Sequence, residues 1–389
     1  MNIDAIVKKI DSDLIKEITK NLVGMDSQNP PGRCDHIAKY LAEKGKSLGF
    51  ESEIMAMDDQ RHNIILSFGK GSKDIVLSGH LDTVPTGDES KWKYPPLEMT
   101  EVNDKLYGRG TVDMKGGVAS LIAVMDAIYQ SDIELNHRIV FAGTADEEVG
   151  MHGAFYLKES GIMDTADCLI ITEATDLKVG IAEKGPTWIR VKVKGRAAHG
   201  SMPEEGINAI KGACKVITEL ENNLPKENNP LLGLTTLNVG MIEGGSKINV
   251  VPEDCYFDCD YRLVPEAKYD SFIESIEKLA KQINKNNDFK ITTEVSHTIP
   301  AIGTKEDEPI VRSMLNWAET ITGKKSEPIG LTYATDAAAL IPPNYIPFII
   351  LGGGYPSVLH QTNEFVNLSD LEKAAKIISG GILEAYTPK

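Results

Sequence analysis

Between Asp74 and Glu173 the chain repeats one unit three times: a short apolar strand, a polar tip, then helical spacing. Asp74 to Ser78 runs into Gly79-His80-Leu81-Asp82, and Arg138 to Ala142 runs into Gly143-Thr144-Ala145-Asp146-Glu147-Glu148. Cys168 to Thr172 stops at Glu173, and Asp113-Met114-Lys115-Gly116-Gly117 opens a small-residue-rich helix reaching about Tyr129. Strands separated by helices predict a largely parallel α/β sheet, since parallel neighbours need a crossover long enough to hold a helix. Ligands of such sheets gather beyond the carboxyl ends of the strands, where His80, Glu147, Glu148 and Glu173 all fall.

A chain of 389 residues exceeds what one hydrophobic core usually organises, so two domains are expected. The texture changes near Lys184-Gly185. Trp188 to Lys194, Thr235 to Met241, Cys255 to Arg262 and Lys290 to Val295 alternate as strands, while Ile207 to Leu220 and Tyr269 to Asn284 have helical spacing. Strand-helix-strand-strand-helix-strand is the ferredoxin-like order. Residues 184–298 are therefore expected to form an inserted α+β domain, with 1–183 and 299–389 building the first domain around two crossings. Residues 1–50 read as two amphipathic helices separated by Ser27-Gln28-Asn29-Pro30-Pro31-Gly32, a helix stop and turn.

A net charge of −16 repels phosphate backbones and anionic bilayers, which excludes nucleic acid and membrane as main partners. No run approaches the ~20 apolar residues of a membrane helix. The first 24 residues alternate charged and apolar positions without a cleavage signal, so a cytoplasmic location is expected. Five cysteines without a Cys-x-x-Cys pair read as reduced, buried thiols.

Each polar tip alone has a bland reading. His80 could be a hydrogen-bonded strand-end histidine, although Asp82 beside it is the kind of partner that fixes the tautomer of a metal-bound imidazole. Glu147-Glu148 could complement a helix dipole, and Asp113 could cap one. Glu173 could be an ordinary strand end, and His360, after Gly352-Gly353-Gly354, a loop residue. Together they form a set of nitrogen and oxygen donors at the tips of one repeating architecture, which is a metal-site composition.

The joint pattern is specific: Ser78-Gly79-His80-Leu81-Asp82, Gly108-Arg109-Gly110-x-x-Asp113-Met114-Lys115-Gly116-Gly117, Asp146-Glu147-Glu148-x-Gly150, and Gly195-x-x-x-His199-x-Ser201-x-Pro203-x-x-Gly206-x-Asn208-Ala209. It resembles the metallopeptidase family of acetylornithine deacetylase, succinyl-diaminopimelate desuccinylase, aminoacylase and glutamate carboxypeptidase, over essentially the whole chain. The resemblance implies a zinc-exopeptidase-like α/β catalytic domain with a mostly parallel sheet and an inserted ferredoxin-like dimerisation or lid domain. It implies two divalent cations, zinc first, with cobalt or manganese acceptable to the same donors. His80 and Glu173 would hold one, Glu148 and His360 the other, and Asp113 would bridge them, followed by a cis peptide to Met114. Asp82 would orient His80, and Glu147 would be the general base for a metal-bridging water.

The same resemblance gives His199 the developing oxyanion, contributed across a homodimer or within the chain. It assigns Asn249 and Arg262 to substrate, with Thr335, Asp336, Gly353 and Gly354 lining the cleft. The implied reaction is hydrolysis of an amide in a small N-acylated amino acid. A dipeptidase or carboxypeptidase acting on a short peptide would use the same ligands and base. A non-catalytic metal-binding scaffold would instead lack Glu147 or a ligand, and none is missing.

Overall fold

Lys73–His80, His137–Thr144 and Ala166–Ile171 lie side by side and parallel, as their helical crossovers require. They appear in a computed structural model that describes residues 3–131, 133 and 135–388. The chain divides into two units: Met1–Ile181 with Gly303–Ile329 and Thr335–Lys389, and Ala182–Ile302 with Gly330–Ala334. The second unit thus takes in Gly330–Ala334 as well as the continuous insertion that the sequence pattern marks.

In the first unit the sheet order is Glu51–Ala56, His62–Phe68, His137–Thr144, Lys73–His80, Ala166–Ile171 and Phe348–Ile350. The four inner strands, from His137–Thr144 to Phe348–Ile350, are parallel. Glu51–Ala56 and His62–Phe68 form an antiparallel pair, and His62–Phe68 runs antiparallel to its inner neighbour. The sheet is therefore mixed, because Glu51–Ala56 and His62–Phe68 are joined by a tight turn and a tight turn reverses the chain.

The inner strands are apolar on both faces: Ile75, Val76 and Leu77 are each fully buried, worth about 1.5–3 kcal/mol per side chain. Lys115–Tyr129 packs against the strands Lys73–His80 and His137–Thr144 and against the helices Ser12–Val23 and Leu368–Tyr386. It is consequently apolar nearly all round. Gly117 lets this helix close on the strand end before Glu173, since a Cβ there would lie 2.6 Å from the Thr172 carbonyl oxygen.

The amino-terminal region holds three helices, Ile3–Val7, Ser12–Val23 and Asp35–Leu48, where two were expected. Asp11 makes the break by capping the second, its carboxylate accepting the N–H groups of Asp13 and Leu14. A small sheet of Phe365–Asn367, Lys105–Tyr107 and Thr100–Val102 sets Phe365 opposite Tyr107.

The second unit carries an antiparallel sheet in the order Thr236–Gly244, Asp254–Leu263, Gly185–Lys194, Lys290–Thr298. Helices Ala209–Asn222 and Tyr269–Asn286 complete the ferredoxin-like chain order, and a core including Val191, Val216, Phe257, Phe272 and Ile276 joins them to the sheet. All five cysteines are free, but Cys214 is exposed on Ala209–Asn222 rather than buried, because it lies away from that core. Among the described residues no helix is long and apolar enough to cross a membrane.

Candidate metal centre

His80 is the last residue of its strand, and its parallel register places it opposite Thr144, three residues before Glu147. Register and polar tips therefore bring the candidate ligands together. Donor atoms of His80, Asp113 and Glu148 lie within 4.8 Å of one another. Asp113 offers one oxygen to each imidazole: Oδ1 is 3.0 Å from His80 Nε2, and Oδ2 is 3.0 Å from His360 Nε2. Glu173 Oε1 stands 3.6 Å from His80 Nε2, and Glu148 Oε2 stands 3.3 Å from His360 Nε2. The carboxylate between two histidine–glutamate pairs has the disposition of a bridging ligand.

His80, Asp113 and Glu173 are buried, whereas His360 is exposed and holds a left-handed backbone at φ 59°. The Asp113–Met114 peptide is cis. Without a cation among them these groups compete for protons. Burial would lower the His80 value, but the Asp113 hydrogen bond and the charges of Glu147 and Glu173 outweigh it and hold the imidazolium well above its usual range. Hydrogen bonds to Asp113 and Glu148 push His360 up to about 10. Burial and then the Asp113 charge push Glu173 up. Burial also raises Glu147, offset by His80 and reinforced by Asp336, Glu148 and Glu173.

This carboxylate excess fits a cation site. So does Glu148 Oε1, a buried oxygen with no hydrogen-bond partner among the described residues. His80, Glu173, Asp113, Glu148 and His360 could hold divalent cations. Two imidazoles and three carboxylates without thiolate suit zinc, cobalt or manganese.

Asp82 meets His80 through its main chain. His80 Nδ1 lies 3.0 Å from the main-chain oxygen of Asp82 and 3.8 Å from its carboxylate. The carboxylate is occupied elsewhere, accepting the main-chain N–H of Glu147 at 3.0 Å and of Glu148 at 3.2 Å. A metal-bound imidazole needs only one acceptor on its second nitrogen, and the carbonyl serves.

Three buried charged residues shape the surroundings of the centre. Glu364 Oε1 accepts from Val112 N and Asp113 N, and Arg109 donates to Glu364 Oε2 at 2.5 Å. Arg109 stands in Gly108-Arg109-Gly110 and Glu364 four residues after His360, so charge and nearness to ligands in the sequence mark both. Asp336 is buried at the start of Asp336–Leu340, where Thr144 Oγ1 donates to its Oδ2 at 2.5 Å.

Of the remaining expected residues, Thr335 is buried and caps Asp336–Leu340. Gly353 is buried against the helix Leu368–Tyr386, where a Cβ would come 2.7 Å from the Asp370 backbone. His199 and Asn249 belong to the second unit and are neighbours there: His199 pairs with Val250, and Gly200 N donates to Asn249 O at 2.8 Å. Both are exposed. Arg262 sits near the far end of Asp254–Leu263, with Nε 3.0 Å from Asp260 Oδ2. From Asp254 to Arg262 such a strand extends about 26 Å, so His199 and Arg262 occupy opposite ends of this unit.

The family model for peptidase family M20/M25/M40 matches residues 76–384. A probable succinyl-diaminopimelate desuccinylase of Staphylococcus epidermidis is 27% identical over 384 residues, covering 91% of this chain and 93% of its own. An acetylornithine deacetylase of Photorhabdus laumondii is 32% identical over 355 residues, covering 89% of each. The crystal structure of aminopeptidase PepT from Bacillus cereus superposes with a TM-score of 0.80 at 23% identity, covering 96% of this chain and 99% of that one.

Proposed function

The chain belongs to peptidase family M20/M25/M40, and from that premise we propose that this metal-dependent amide hydrolase acts on a small N-acylated amino acid. The observation that carries the reading is Asp113 dividing its two oxygens between His80 and His360, each beside its own glutamate. In this reading His80 and Glu173 hold one divalent cation, Glu148 and His360 the other, and zinc is the first choice. When bound, such a pair polarises the amide carbonyl and acidifies water.

The protein groups supply the rest. Glu147 takes a proton from the attacking water and returns it to the departing nitrogen. A carbon–oxygen bond forms, the carbon–nitrogen bond breaks, and the products are a carboxylate and an amine. Asp82 fixes the main chain of Glu147 and Glu148, and His199 donates to the oxyanion. Arg262, with its planar fork, pairs with the substrate carboxylate, Asn249 binds the same molecule, and Thr335 and Gly353 shape the wall near Glu173 and Asp336.

About 26 Å of strand separates the ends that carry His199 and Arg262, too far for both to touch one small substrate from one chain. A homodimer in which each site receives His199 and Asn249 from the partner copy resolves this.

Two of the sequence relatives carry names for acylated amino acids, which favours that class over peptides. The test is turnover of N-acetylornithine, N-succinyl-diaminopimelate and a dipeptide panel with added zinc, cobalt or manganese. Turnover of an acylated amino acid is expected. Cleavage of dipeptides alone would replace this reading with a peptidase.

A further inference from the structure

Asn29 lies in Ser27-Gln28-Asn29-Pro30-Pro31-Gly32, which its prolines and glycine mark as a turn. In the folded chain this segment runs beside Leu81–Thr83. Ser27 Oγ donates to Leu81 O at 2.8 Å, Thr83 N donates to Ser27 O at 3.1 Å, and Asn29 N donates to Thr83 O at 2.8 Å. The ladder delivers the Asn29 side chain between two carboxylates. Its Nδ2 is 2.8 Å from Asp82 Oδ2 and 2.7 Å from Asp146 Oδ1. An amide nitrogen carries two hydrogens, one for each acid.

Both acids control the same short loop. Asp82 accepts the N–H groups of Glu147 and Glu148. Asp146 is part of the loop, in a left-handed conformation at φ 67°, and its other oxygen takes Arg61 at 3.0 Å and His152 at 2.6 Å. Asp82 and Asp146 are 0% and 2% exposed. Anions this close repel strongly where water is excluded. Arg61 compensates Asp146 from its outer side, so Asn29 is the donor that joins the two acids.

We propose that Asn29 is the positioning residue of the metal centre: by sharing one amide between Asp82 and Asp146, it fixes the backbone that aims Glu147 and Glu148. The proposal rests on the roles given above to those two glutamates. Asn29 touches neither substrate nor cation; it acts through the two acids.

The test uses the full chain with Co²⁺ as probe, followed by its visible absorption. The unsubstituted chain is expected to take two equivalents. Asn29→Ala is expected to take the first normally and the second, held by Glu148 and His360, about ten- to a hundredfold more weakly. At saturating Co²⁺ its kcat should fall by a similar factor while KM holds. Adding Asp146→Asn to Asn29→Ala removes one of the repelling charges and should recover part of the lost affinity, which a packing role would not permit. Two tight equivalents and unchanged kcat in a folded Asn29→Ala variant would overturn the proposal. If that variant does not fold, Asn29→Ser, with one hydroxyl proton for two acids, carries the same comparison and should show a smaller loss; no loss overturns the proposal. Failure of the unsubstituted chain to take a second equivalent would overturn the metal assignment itself, before any substitution is made.

Discussion

The main-chain N–H of Asp113 points at Glu364 Oε1 across 3.3 Å, although 251 residues separate the two. Glu364 is fully buried, and its other oxygen is held by Arg109, itself 3% exposed. The Arg109 guanidinium also donates to Pro85 O at 3.2 Å and stacks 5.2 Å from the Trp92 ring. The pair thus clamps the segment bearing the candidate bridging carboxylate, and the small sheet that sets Phe365 against Tyr107 fixes its register.

Glu364→Ala leaves the Arg109 charge buried without its anion, and breaking a buried pair in this way costs about 3–5 kcal/mol. Glu364→Gln keeps the shape and an acceptor, so a smaller loss is expected. Urea denaturation of the metal-free chain measures both. A loss in Glu364→Ala no larger than that of an exposed pair, about 1 kcal/mol or less, would show that the clamp does not hold the fold.

Metal binding should expel protons. Hydrogen bonds to Asp113 and Glu148 raise His360 from its ordinary value of 6.5 to about 10. A raised value means that the ion pair is fully stabilising below the unfolded value and is lost as pH rises through about 10. A cation needs the neutral imidazole, so at pH 8 it must displace that proton. Calorimetric titration with zinc in two buffers of different ionisation enthalpy should return about one proton from each of His360 and His80, whose imidazolium Asp113, Glu147 and Glu173 stabilise, with a further contribution from Glu173, which burial raises. Equal heats in both buffers would contradict this. Chelation should abolish turnover, and added metal should restore it.

Glu147→Ala should separate catalysis from metal holding. Losing a general base costs about 10²–10⁴ in rate, while the donors Asp113, Glu148, Glu173 and both histidines remain. Metal content near that of the unsubstituted chain with a collapsed kcat is the expected pair of results. Turnover within a few-fold of normal would move the base elsewhere.

The parts of the centre visible in the amino-acid sequence are those written locally. His80, Glu147, Glu148 and Glu173 announce themselves because a strand ends and a polar tip follows, a signal spanning a few residues. Asn29 and Glu364 were not legible in this way. Their partners lie 53, 117 and 251 residues away, and locally each looks like ordinary turn or loop chemistry. The same limit explains Asp82. Its adjacency to His80 suggests a partner for the imidazole without saying which Asp82 oxygen serves; strand pairing carries the Glu147–Glu148 amides to the carboxylate and leaves the imidazole to the carbonyl. The antiparallel edge of the sheet likewise depends on a tight turn between two strands that periodicity alone leaves unoriented.

Mixing two inactive variants can decide where His199 acts. If each site draws His199 from the partner copy, a dimer of one Glu147→Ala chain and one His199→Ala chain contains one complete site: the second chain keeps Glu147 and receives His199 from the first. The other site lacks both. Random exchange between equal amounts makes half of the dimers mixed, so activity should return to about a quarter of normal. If His199 serves its own chain, every site in every dimer lacks one group and nothing returns. The control is Glu147→Ala mixed with a chain carrying both substitutions, which has no complete site under either arrangement. Activity in the first mixture and none in the control would support exchange of His199 between copies. Silence in both, with mixed dimers verified by mass, would place His199 in its own chain's site. The roughly 26 Å of strand between the ends that bear His199 and Arg262 makes the first outcome the expected one.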